Sequence, residues 1–216
     1  MNFPADAAIS GNTKGDAGGI GMARPKEFDR DEALDRAMRV FWSRGFEATS
    51  IQDLVEAMGI NRGSLYAAFG DKHALYLAAL DRFCCTAGDV EGLLGAALRE
   101  TGSAKAAIRR LFMAAVDAAA TGGRRGCMVV NTAVEFCPDA GDIGAQVALA
   151  MRRTEAALHG VLLRARASGE IGDRVDTPAL ARYLTSSLSG LRVMAKATDD
   201  HATLNDIVDV TLSILD

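Results

Sequence analysis

The amino-acid sequence predicts an all-α protein. Only four prolines interrupt its 216 residues, at positions 4, 25, 138 and 178. Elsewhere apolar residues recur at spacings of three and four, which is the period of an amphipathic helix and not the alternation of a strand. We therefore expect helices and no sheet.

Glycines bound the first two helices. The first carries an apolar stripe over residues 34–41, and we expect it to end at Gly45 because a left-handed glycine stops a helix. The second is expected to begin after Thr49, since Thr49 and Gln52 form a capping-box pattern, and to end at Gly59.

A short third helix and a fourth helix follow directly. Asn61 is expected to cap the third, which covers residues 62–69 and stops at Gly70. The fourth begins near Asp71. The second and third helices are therefore separated by a three-residue turn, 59–61.

Longer helices are predicted in the rest of the chain. Thr177 followed by Pro178 is typical of a cap and a first helical turn. The predicted helices lie near residues 90–100, 104–121, 127–137, 142–168, 178–197 and 203–215.

The two longest of these helices carry continuous apolar stripes. We expect the stripes to form a dimer interface, and an alternative of comparable weight is that they face the core of the monomer. The stripes are Ile143, Val147, Met151, Thr154, Leu158, Val161 and Ala165 in the first helix and Leu180, Leu184, Leu188, Leu191 and Ala195 in the second.

Charge and hydropathy exclude two classes of protein. The chain has 24 basic and 28 acidic residues, a net charge of −4, so it is not a generally basic coat for nucleic acid. No apolar stretch reaches the roughly 18 residues that a membrane helix needs. We expect a soluble protein in which any DNA contact is local.

The amino-terminal residues and the cysteines indicate the compartment. Residues 1–21 lack an apolar core and contain many helix breakers, so we expect a disordered leader and a translation start at either Met1 or Met22. The spacing of the four cysteines matches neither a zinc site nor a disulfide framework. A cytoplasmic location is expected. The cysteines are Cys84, Cys85, Cys127 and Cys137.

No pattern indicates catalysis. The histidines His73, His159 and His201 lie in three different predicted helices, outside any metalloprotease, hydrolase or phosphate-loop motif. We therefore expect no enzymatic activity, no cofactor and no metal site.

The second and third helices have the spacing of a helix-turn-helix. Their residues also resemble the DNA-binding domain of the TetR family of bacterial transcriptional regulators, over residues 27 to 87. The shared features are the aromatic-x-x-x-Gly turn from Phe41 to Gly45, the Thr49 before the second helix, the Leu65-Tyr66-x-x-Phe69 core and Lys72. The resemblance implies a DNA-binding domain at 22–87 and a ligand-binding and dimerisation domain at 88–216.

The third helix presents the candidate DNA contacts. Asn61, Arg62, Gly63 and Ser64 lie at its tip, and Arg62 can bind guanine with two hydrogen bonds. Thr49, Ser64, Tyr66 and Lys72 can donate to phosphates. The resemblance implies that Thr49, Tyr66 and Lys72 hold the DNA backbone, and that Arg62, Gly63 and Ala67 face the bases.

Two features qualify this assignment. First, some of these residues have an alternative role in the protein itself. Leu65 and Phe69 are expected in the core, Tyr66 could be partly buried there, and Lys72 could be an ordinary solvated lysine. Residues 22–72 hold eight basic and nine acidic residues, a net of −1, which is low for a DNA-binding module.

Because residues 22–72 carry so little positive charge, we expect DNA binding to need additional contacts from a flanking arm and from a second copy of the chain. Arg24 is expected on a flexible arm that reaches the minor groove. A homodimer, with recognition helices about 34–36 Å apart, is needed for useful affinity.

Cys127 is a candidate sensor. The segment 126–135 resembles one that recurs in a subset of TetR-like regulators, some of which sense electrophiles or oxidants through the cysteine. Arg124 and Arg125 precede Cys127 at a predicted helix start, and both features favour thiolate. The alternative is a small buried packing residue. A disulfide to Cys137, about 15 Å away along a helix, is not expected.

Together these observations predict a homodimeric repressor that a small effector releases from operator DNA. The effector is expected in a chamber formed by residues 90–197. An alternative mechanism is redox or electrophile sensing through Cys127. A helical small-molecule carrier or an enzyme that does not bind DNA is the alternative from another class.

Overall fold

The computed structural model describes residues 28–121, 124–136 and 141–216. All regular secondary structure in these ranges is helical, which confirms the predicted all-α class. The expected leader at 1–21 and the alternative start at Met22 lie outside the described residues. None of the helices in the described ranges is both long and apolar enough to cross a membrane.

The helices follow one another with short connections. Most predicted bounds lie within two residues of those observed. In chain order the helices are α1 (Arg30–Arg44), α2 (Ile51–Met58), α3 (Arg62–Phe69), α4 (Lys72–Cys84), α5 (Val90–Thr101), α6 (Ala104–Thr121), α7 (Met128–Phe136), α8 (Gly141–Ala167), α9 (Thr177–Ala197) and α10 (His201–Leu212), followed by a 3₁₀ turn (Ser213–Leu215).

Two predicted helix caps are wrong by one residue. Ser50, not Thr49, caps α2: the Ser50 hydroxyl accepts from the Asp53 amide at 3.1 Å, and the Asp53 carboxylate accepts from the Ser50 amide at 2.9 Å. Likewise Asp176 caps α9, accepting from the Ala179 amide at 3.0 Å. Thr177 is instead the first helical residue, and it is buried.

Two apolar cores divide the molecule. The amino-terminal core is built from α1 to α4 together with Cys127, Met128 and Val129 around the start of α7 and Ile143 and Val147 from the start of α8. The carboxy-terminal core is built from α5, α6, the rest of α8, α9, α10 and the 3₁₀ turn. Residues beyond 88 thus help to enclose the amino-terminal core.

The stripes expected to form a dimer interface face the inside of the monomer. Leu184 and Leu158 are 0% exposed and Leu191 is 1% exposed, all within the carboxy-terminal core. Met151 is half-buried against the amino-terminal core. The prediction of dimerisation through Leu158, Leu184 and Leu191 is therefore wrong, and the alternative that the stripes face the monomer core is confirmed for these three side chains. They are covered because α8 and α9 pack against each other and against α6.

Candidate nucleic-acid interface and adjoining cavity

The turn between α2 and α3 has the geometry that the sequence predicts. Gly59 adopts the left-handed conformation at φ 70° and ψ 28°, and its amide donates to the Val55 carbonyl at 3.0 Å. Asn61 caps α3 by accepting from the Ser64 amide at 2.8 Å. A left-handed glycine and a side-chain cap together reverse the chain sharply, and this sets α3 at an angle to α2.

The short helix α3 has one buried and one exposed face. Leu65 is fully buried and Phe69 nearly so, which confirms their expected place in the core. The side chains predicted to face DNA bases lie on the other face and are brought together there. Exposed on this face are Asn61, Arg62, Gly63, Tyr66 and Ala67.

Arg62 and Tyr66 are available to a ligand. Tyr66 is 45% exposed, so its ring is partly buried, as one interpretation expected, and is also accessible from outside. In the part of the chain that the structure describes, the Arg62 side chain makes no ion pair or hydrogen bond, and its neighbours on α3 are uncharged. A free guanidinium at a helix tip is suited to reading a guanine edge in the major groove.

Lys72 and Thr49, two residues predicted to bind DNA phosphates, contact other groups of the protein in this structure. The Lys72 Nζ lies 4.1 Å from the centroid of the Phe46 ring, and Lys72 is half-buried. Thr49 is 1% exposed, and its hydroxyl donates to the Gly45 carbonyl at 2.6 Å. In this conformation Thr49 closes the turn between α1 and α2 and does not present its hydroxyl to solvent.

Several acidic side chains of the domain have partners within it. Asp29 caps α1 by accepting from the Asp31 and Glu32 amides at 2.9 and 3.0 Å. The Arg82 guanidinium donates to Asp35 at 2.7 and 3.1 Å and holds the pKa of that carboxyl below its usual value. The low net charge therefore includes acids that are already used in capping and pairing.

Asp53 at the start of α2 behaves in the same way. Hydrogen bonds from the Ser50 hydroxyl and amide, with a further one from Arg44 at 2.6 Å, lower the pKa of Asp53 to about 2. The carboxylate is thus charged at neutral pH and bound to its own helix start. Arg24, expected on a minor-groove arm, lies outside the described residues.

A cavity of about 170 Å³ is lined by residues of α1, α4, α5, α6 and α9 and of the segment just before α7. Apolar side chains from α4, α5 and α6 line most of it, and Trp42, Arg125, Cys127 and Arg192 supply its polar edge. The Trp42 Nε1 donates to the Gly126 carbonyl at 3.0 Å, and the Arg125 guanidinium lies 4.7 Å from the Trp42 ring centroid. Trp42 on α1 therefore joins the wall of this cavity to the DNA-binding domain.

Cys127 lies in the cavity wall immediately before α7. It is 5% exposed, and its carbonyl accepts from the Asn131 amide at 2.9 Å, which confirms the expected place at a helix start. The burial expected of a packing residue is also observed.

The cationic side chain nearest the Cys127 sulfur is Arg192, and not Arg124 or Arg125 as the sequence predicted. The Arg192 Nη1 on α9 lies 3.5 Å from the Cys127 sulfur, whereas Arg124 is exposed and lies 3.8 Å from Asp199. Arg125 lines the cavity over Trp42. Sequence reasoning missed Arg192 because it is 65 residues away, and local spacing carries no signal for such a contact. Cys137 lies outside the described residues.

Helix α7 makes several polar contacts with α4 and with the turn between α1 and α2. The Tyr76 hydroxyl meets the Thr132 hydroxyl at 2.8 Å in the buried interior, and burial raises the pKa of Tyr76 to about 12. The Glu135 carboxylate accepts from the Phe46 and Glu47 amides at 3.1 and 2.9 Å. Glu135 was not singled out by the sequence, because it has the appearance of an ordinary exposed helical glutamate.

The histidines His73 and His159 each contact a polar side chain of the protein. His73 on α4 contacts the Asp142 carboxylate at 2.8 Å, and His159 contacts the Thr177 hydroxyl at 3.2 Å. In the described part of the chain, no three His, Cys, Asp or Glu side chains are grouped closely enough to hold a metal ion.

Comparisons with known proteins agree with this geometry. A family model described as bacterial regulatory proteins of the tetR family matches residues 33–79, and one described as a tetracyclin repressor-like carboxy-terminal domain matches residues 104–210. The HTH-type transcriptional regulator YezE of Bacillus subtilis strain 168 is 40% identical over 200 residues, covering 90% of this chain and 100% of YezE.

A second relative and one solved structure extend the comparison. The HTH-type transcriptional repressor ComR of Escherichia coli strain K12 is 35% identical over 193 residues, covering 88% of this chain and 90% of ComR. A cysteine mutant of the TetR-family regulator CifR, complexed with a 26-bp double-stranded operator DNA, has a TM-score of 0.78 and 31% identity. That match covers 88% of this chain and 98% of the CifR chain.

Proposed function

We infer that this chain, which belongs to the TetR family of bacterial DNA-binding transcriptional regulators, is a homodimeric repressor that a small effector releases from its operator. The observation that carries this proposal is the exposed outer face of α3, held by a left-handed glycine turn and an asparagine cap. The ComR and CifR relatives, a repressor and an operator-bound regulator, support it.

In this proposal α3 enters the major groove. Arg62 reads a guanine edge, with Gly63 and Ala67 close to the bases, while Ser64, Tyr66 and Lys72 donate to phosphates. Lys72 leaves the Phe46 ring to do so, at the expense of a cation–π contact worth about 0.5–2 kcal/mol. Arg24 would add a minor-groove contact.

Selection of DNA by the protein tests the proposal. The full chain is incubated with a pool of random-sequence duplexes, and bound DNA is recovered and sequenced over several rounds. We expect a two-fold symmetric sequence whose half-sites are spaced to match two recognition helices. Enrichment of no sequence, together with no shift of the DNA upstream of its own gene, would contradict a DNA-binding role.

The cavity is the proposed effector site, and its size restricts the effector. An engineered cavity of roughly 150 Å³ holds benzene, whereas drug-sized ligands occupy roughly 300–1,000 Å³. A volume of about 170 Å³ therefore fits a molecule about the size of one aromatic ring. The mainly apolar wall favours a small and largely apolar effector.

A second candidate mechanism is covalent sensing at Cys127. Its sulfur lines the cavity and accepts a hydrogen bond from the Arg192 guanidinium, a cationic neighbour of the kind found beside reactive cysteines. The Cys127 sulfur would attack a small electrophile that enters the cavity: a carbon–sulfur bond forms, the bond from that carbon to its leaving group or the electrophile's π bond breaks, and the thiol proton passes to solvent or to the electrophile. Burial, with Cys127 nearby, raises the pKa of the half-buried Cys84 thiol to about 11, which disfavours the reactive thiolate at that position.

Iodoacetamide distinguishes covalent from non-covalent sensing. We expect the Cys127 sulfur to displace iodide from the reagent, with the thiol proton passing to solvent, faster at pH 7 than Cys84, Cys85 or Cys137. The alkylated protein should then release the selected DNA. Peptide masses give the site and anisotropy gives the release. A Cys127→Ser protein that still leaves DNA after electrophile treatment would leave non-covalent binding as the mechanism.

A different face of α8 and α9 supports the homodimer. Outward-facing apolar side chains are 39–49% exposed, and Gly160 and Gly190 lie between them with open space above each Cα. Small residues at three- and four-residue spacing let a second helix pair approach closely. We propose that a second copy covers this face, whose members are Leu149, Ala156, Gly160 and Leu163 on α8 and Tyr183, Ser186, Gly190 and Val193 on α9.

A further inference from the structure

The carboxyl end of α7 is joined to the turn between α1 and α2. Both oxygens of the Glu135 carboxylate are used: Oε2 accepts from the Phe46 amide at 3.1 Å and Oε1 from the Glu47 amide at 2.9 Å. Both amides lie after the end of α1 and before the start of α2, where backbone donors have no helical partner. One side chain from a distant helix therefore fixes two consecutive peptide units.

The turn is shaped to admit this carboxylate. Gly45 has a φ of +82°, and a Cβ atom added to it would lie 2.9 Å from Oε2 of Glu135. Only a glycine combines this backbone conformation with so close an approach. Phe46 on the same turn packs against Phe136 of α7, with the ring centroids 5.3 Å apart.

The fixed turn leads directly into the DNA-binding motif. Ser50 lies three residues after Glu47, and α2 begins at the next residue, Ile51. In a helix-turn-helix, α2 is the helix that crosses the DNA backbone. The amino end of such a helix binds phosphate through the amides that its cap leaves free. In α2 these are the amides of Ile51 and Gln52, because the Ser50 and Asp53 amides are bonded within the capping box. A displaced turn would move these amides away from the phosphate.

We propose that Glu135 is a positioning residue for operator binding: its carboxylate holds the turn that places the amino end of α2 on the DNA backbone. This inference rests on the proposed operator-binding function. Cys127 and the cavity lie at the other end of the same helix, about 12 Å along its axis at 1.5 Å per residue. In this proposal, a ligand that occupies the cavity shifts α7, and the shift of α7 displaces the turn between α1 and α2.

Charge and position predict opposite effects for one substitution. Glu135→Gln removes a negative charge from a chain of net charge −4, and electrostatics alone would then tighten binding to DNA. Loss of the paired acceptors for two amides would instead loosen the turn and weaken binding. The sign of the change therefore separates positioning from simple charge.

The matched control is Glu47→Gln, because Glu47 lies on the same turn with its side chain exposed. It removes the same charge at the same place and leaves both amide bonds to Glu135 intact. Glu135→Asp is the complementary variant, because it keeps the charge and shortens the reach by one methylene group. Circular dichroism melting of all three variants verifies that they are folded.

Anisotropy titrations with the selected duplex, at several salt concentrations, give the result. We expect Glu135→Gln and Glu135→Asp to bind roughly tenfold more weakly, within the usual range of coupling between sites, and with a smaller salt slope because fewer phosphates are contacted. Glu47→Gln should bind equally well or more tightly. If Glu135 served folding alone, its substitution would lower the fraction of protein that binds DNA and leave the salt slope unchanged. An unchanged salt slope or an unchanged affinity therefore overturns the proposal.

Two further readouts complete the test. Amide hydrogen exchange at Phe46 and Glu47 should quicken in Glu135→Gln and not in Glu47→Gln. Alkylation at Cys127, verified by mass, should weaken DNA binding less in Glu135→Gln than in the unaltered protein. Equal weakening in both proteins, or no weakening in either, would show that α7 does not transmit a change from the cavity to the turn. If the unaltered protein selects no duplex, the DNA-binding function itself fails; if it does, unchanged Glu135 variants overturn only this inference.

Discussion

At the scale of single residues, Thr49 and Thr177 each stand one position from the side chain that caps the helix. Serine, threonine and aspartate all cap helices well, so neighbouring candidates cannot be ranked by residue type alone. Tertiary burial decides between them: both threonines are 1% exposed, and the exposed Ser50 and Asp176 are left to cap. Sequence patterns therefore predicted the helix starts, and the inside-outside position of each residue chose the cap.

The two cations at the DNA-binding surface are expected to have different roles. Arg62→Ala should lower the preference for the selected duplex over a scrambled one by about 1–3 kcal/mol, because a bidentate base contact is lost. Lys72→Ala should weaken binding to both duplexes alike and reduce the salt slope by about one, because a phosphate contact is lost. Titrations of both duplexes at several salt concentrations measure this, and identical behaviour of the two variants would contradict the assigned roles.

Glu170 predicts a pH dependence of stability. Its carboxylate caps the start of α6, accepting from the Ser103 hydroxyl at 2.5 Å and from the Ala104 and Lys105 amides at 3.0 and 3.1 Å. Burial by itself would raise the pKa of Glu170, but these bonds and one from Ser168 outweigh it and lower the pKa to about 2.

Because the folded-state pKa lies below the usual value of 4.5, the stabilisation is complete above pH 4.5 and is lost as the pH falls towards 2. Glu170→Gln should lower the free energy of unfolding by about 1–2 kcal/mol at pH 7, as for loss of a helix cap. Urea unfolding at pH 7 and at pH 3 measures it, with the exposed Glu47→Gln as control. A deficit that stays constant between the two pH values would contradict this account.

At the scale of helices, periodicity identified the apolar faces of α8 and α9 and not what covers them. A stripe at three- and four-residue spacing is equally typical of a monomer core and of an interface. Leu184 and Leu191 are buried within the monomer because α9 packs against three helices, a long-range arrangement that no local window contains. The outward face of small residues around Gly160 and Gly190 has a weaker hydrophobic signal, and the sequence did not indicate it.

Two substitutions on α9 therefore have different expected outcomes. Gly190→Arg should give a folded monomer, because a side chain at Gly190 meets open space in the protomer and blocks a partner. The helix itself should gain up to about 1 kcal/mol, since glycine disfavours helices. Leu184→Asp should unfold the protein, because it buries an unpaired charge.

Sedimentation gives the mass and circular dichroism the fold. Ala202→Arg, at an exposed position on α10, adds the same charge elsewhere and should leave the dimer intact. A Gly190→Arg protein that sediments as a dimer would show that α8 and α9 do not meet a second copy there.

At the scale of the whole molecule, the boundary read from the chain does not coincide with the boundary between cores. The sequence resemblance ends near residue 87, yet the amino-terminal core includes Met128, Val129 and Ile143. The candidate DNA surface could be predicted because its residues lie within one short local motif. Its supports, Glu135 and Thr132, could not, because they come from a helix that returns to the domain after two intervening helices.

The same packing predicts that the DNA-binding helices depend on α7 for stability. Trp42 is the single tryptophan, and its ring contacts both Phe83, at 5.0 Å between ring centroids, and the Arg125 guanidinium, at 4.7 Å from the ring centroid. A fragment of residues 22–87 lacks Arg125, the Gly126 carbonyl that accepts from the Trp42 indole, and the side chains of Met128 and Val129. Trp42 therefore reports directly on the lost contacts.

In that fragment we expect Trp42 emission shifted to longer wavelength and a free energy of unfolding lowered by at least about 2 kcal/mol, the value of burying one large apolar side chain. Urea titrations followed by Trp42 fluorescence compare the fragment with the full chain. Restoring residues 88–150 should return the emission towards that of the full chain, because this segment contains α7 and the start of α8. A 22–87 fragment with the emission and unfolding midpoint of the full chain would show that the amino-terminal core is complete without α7.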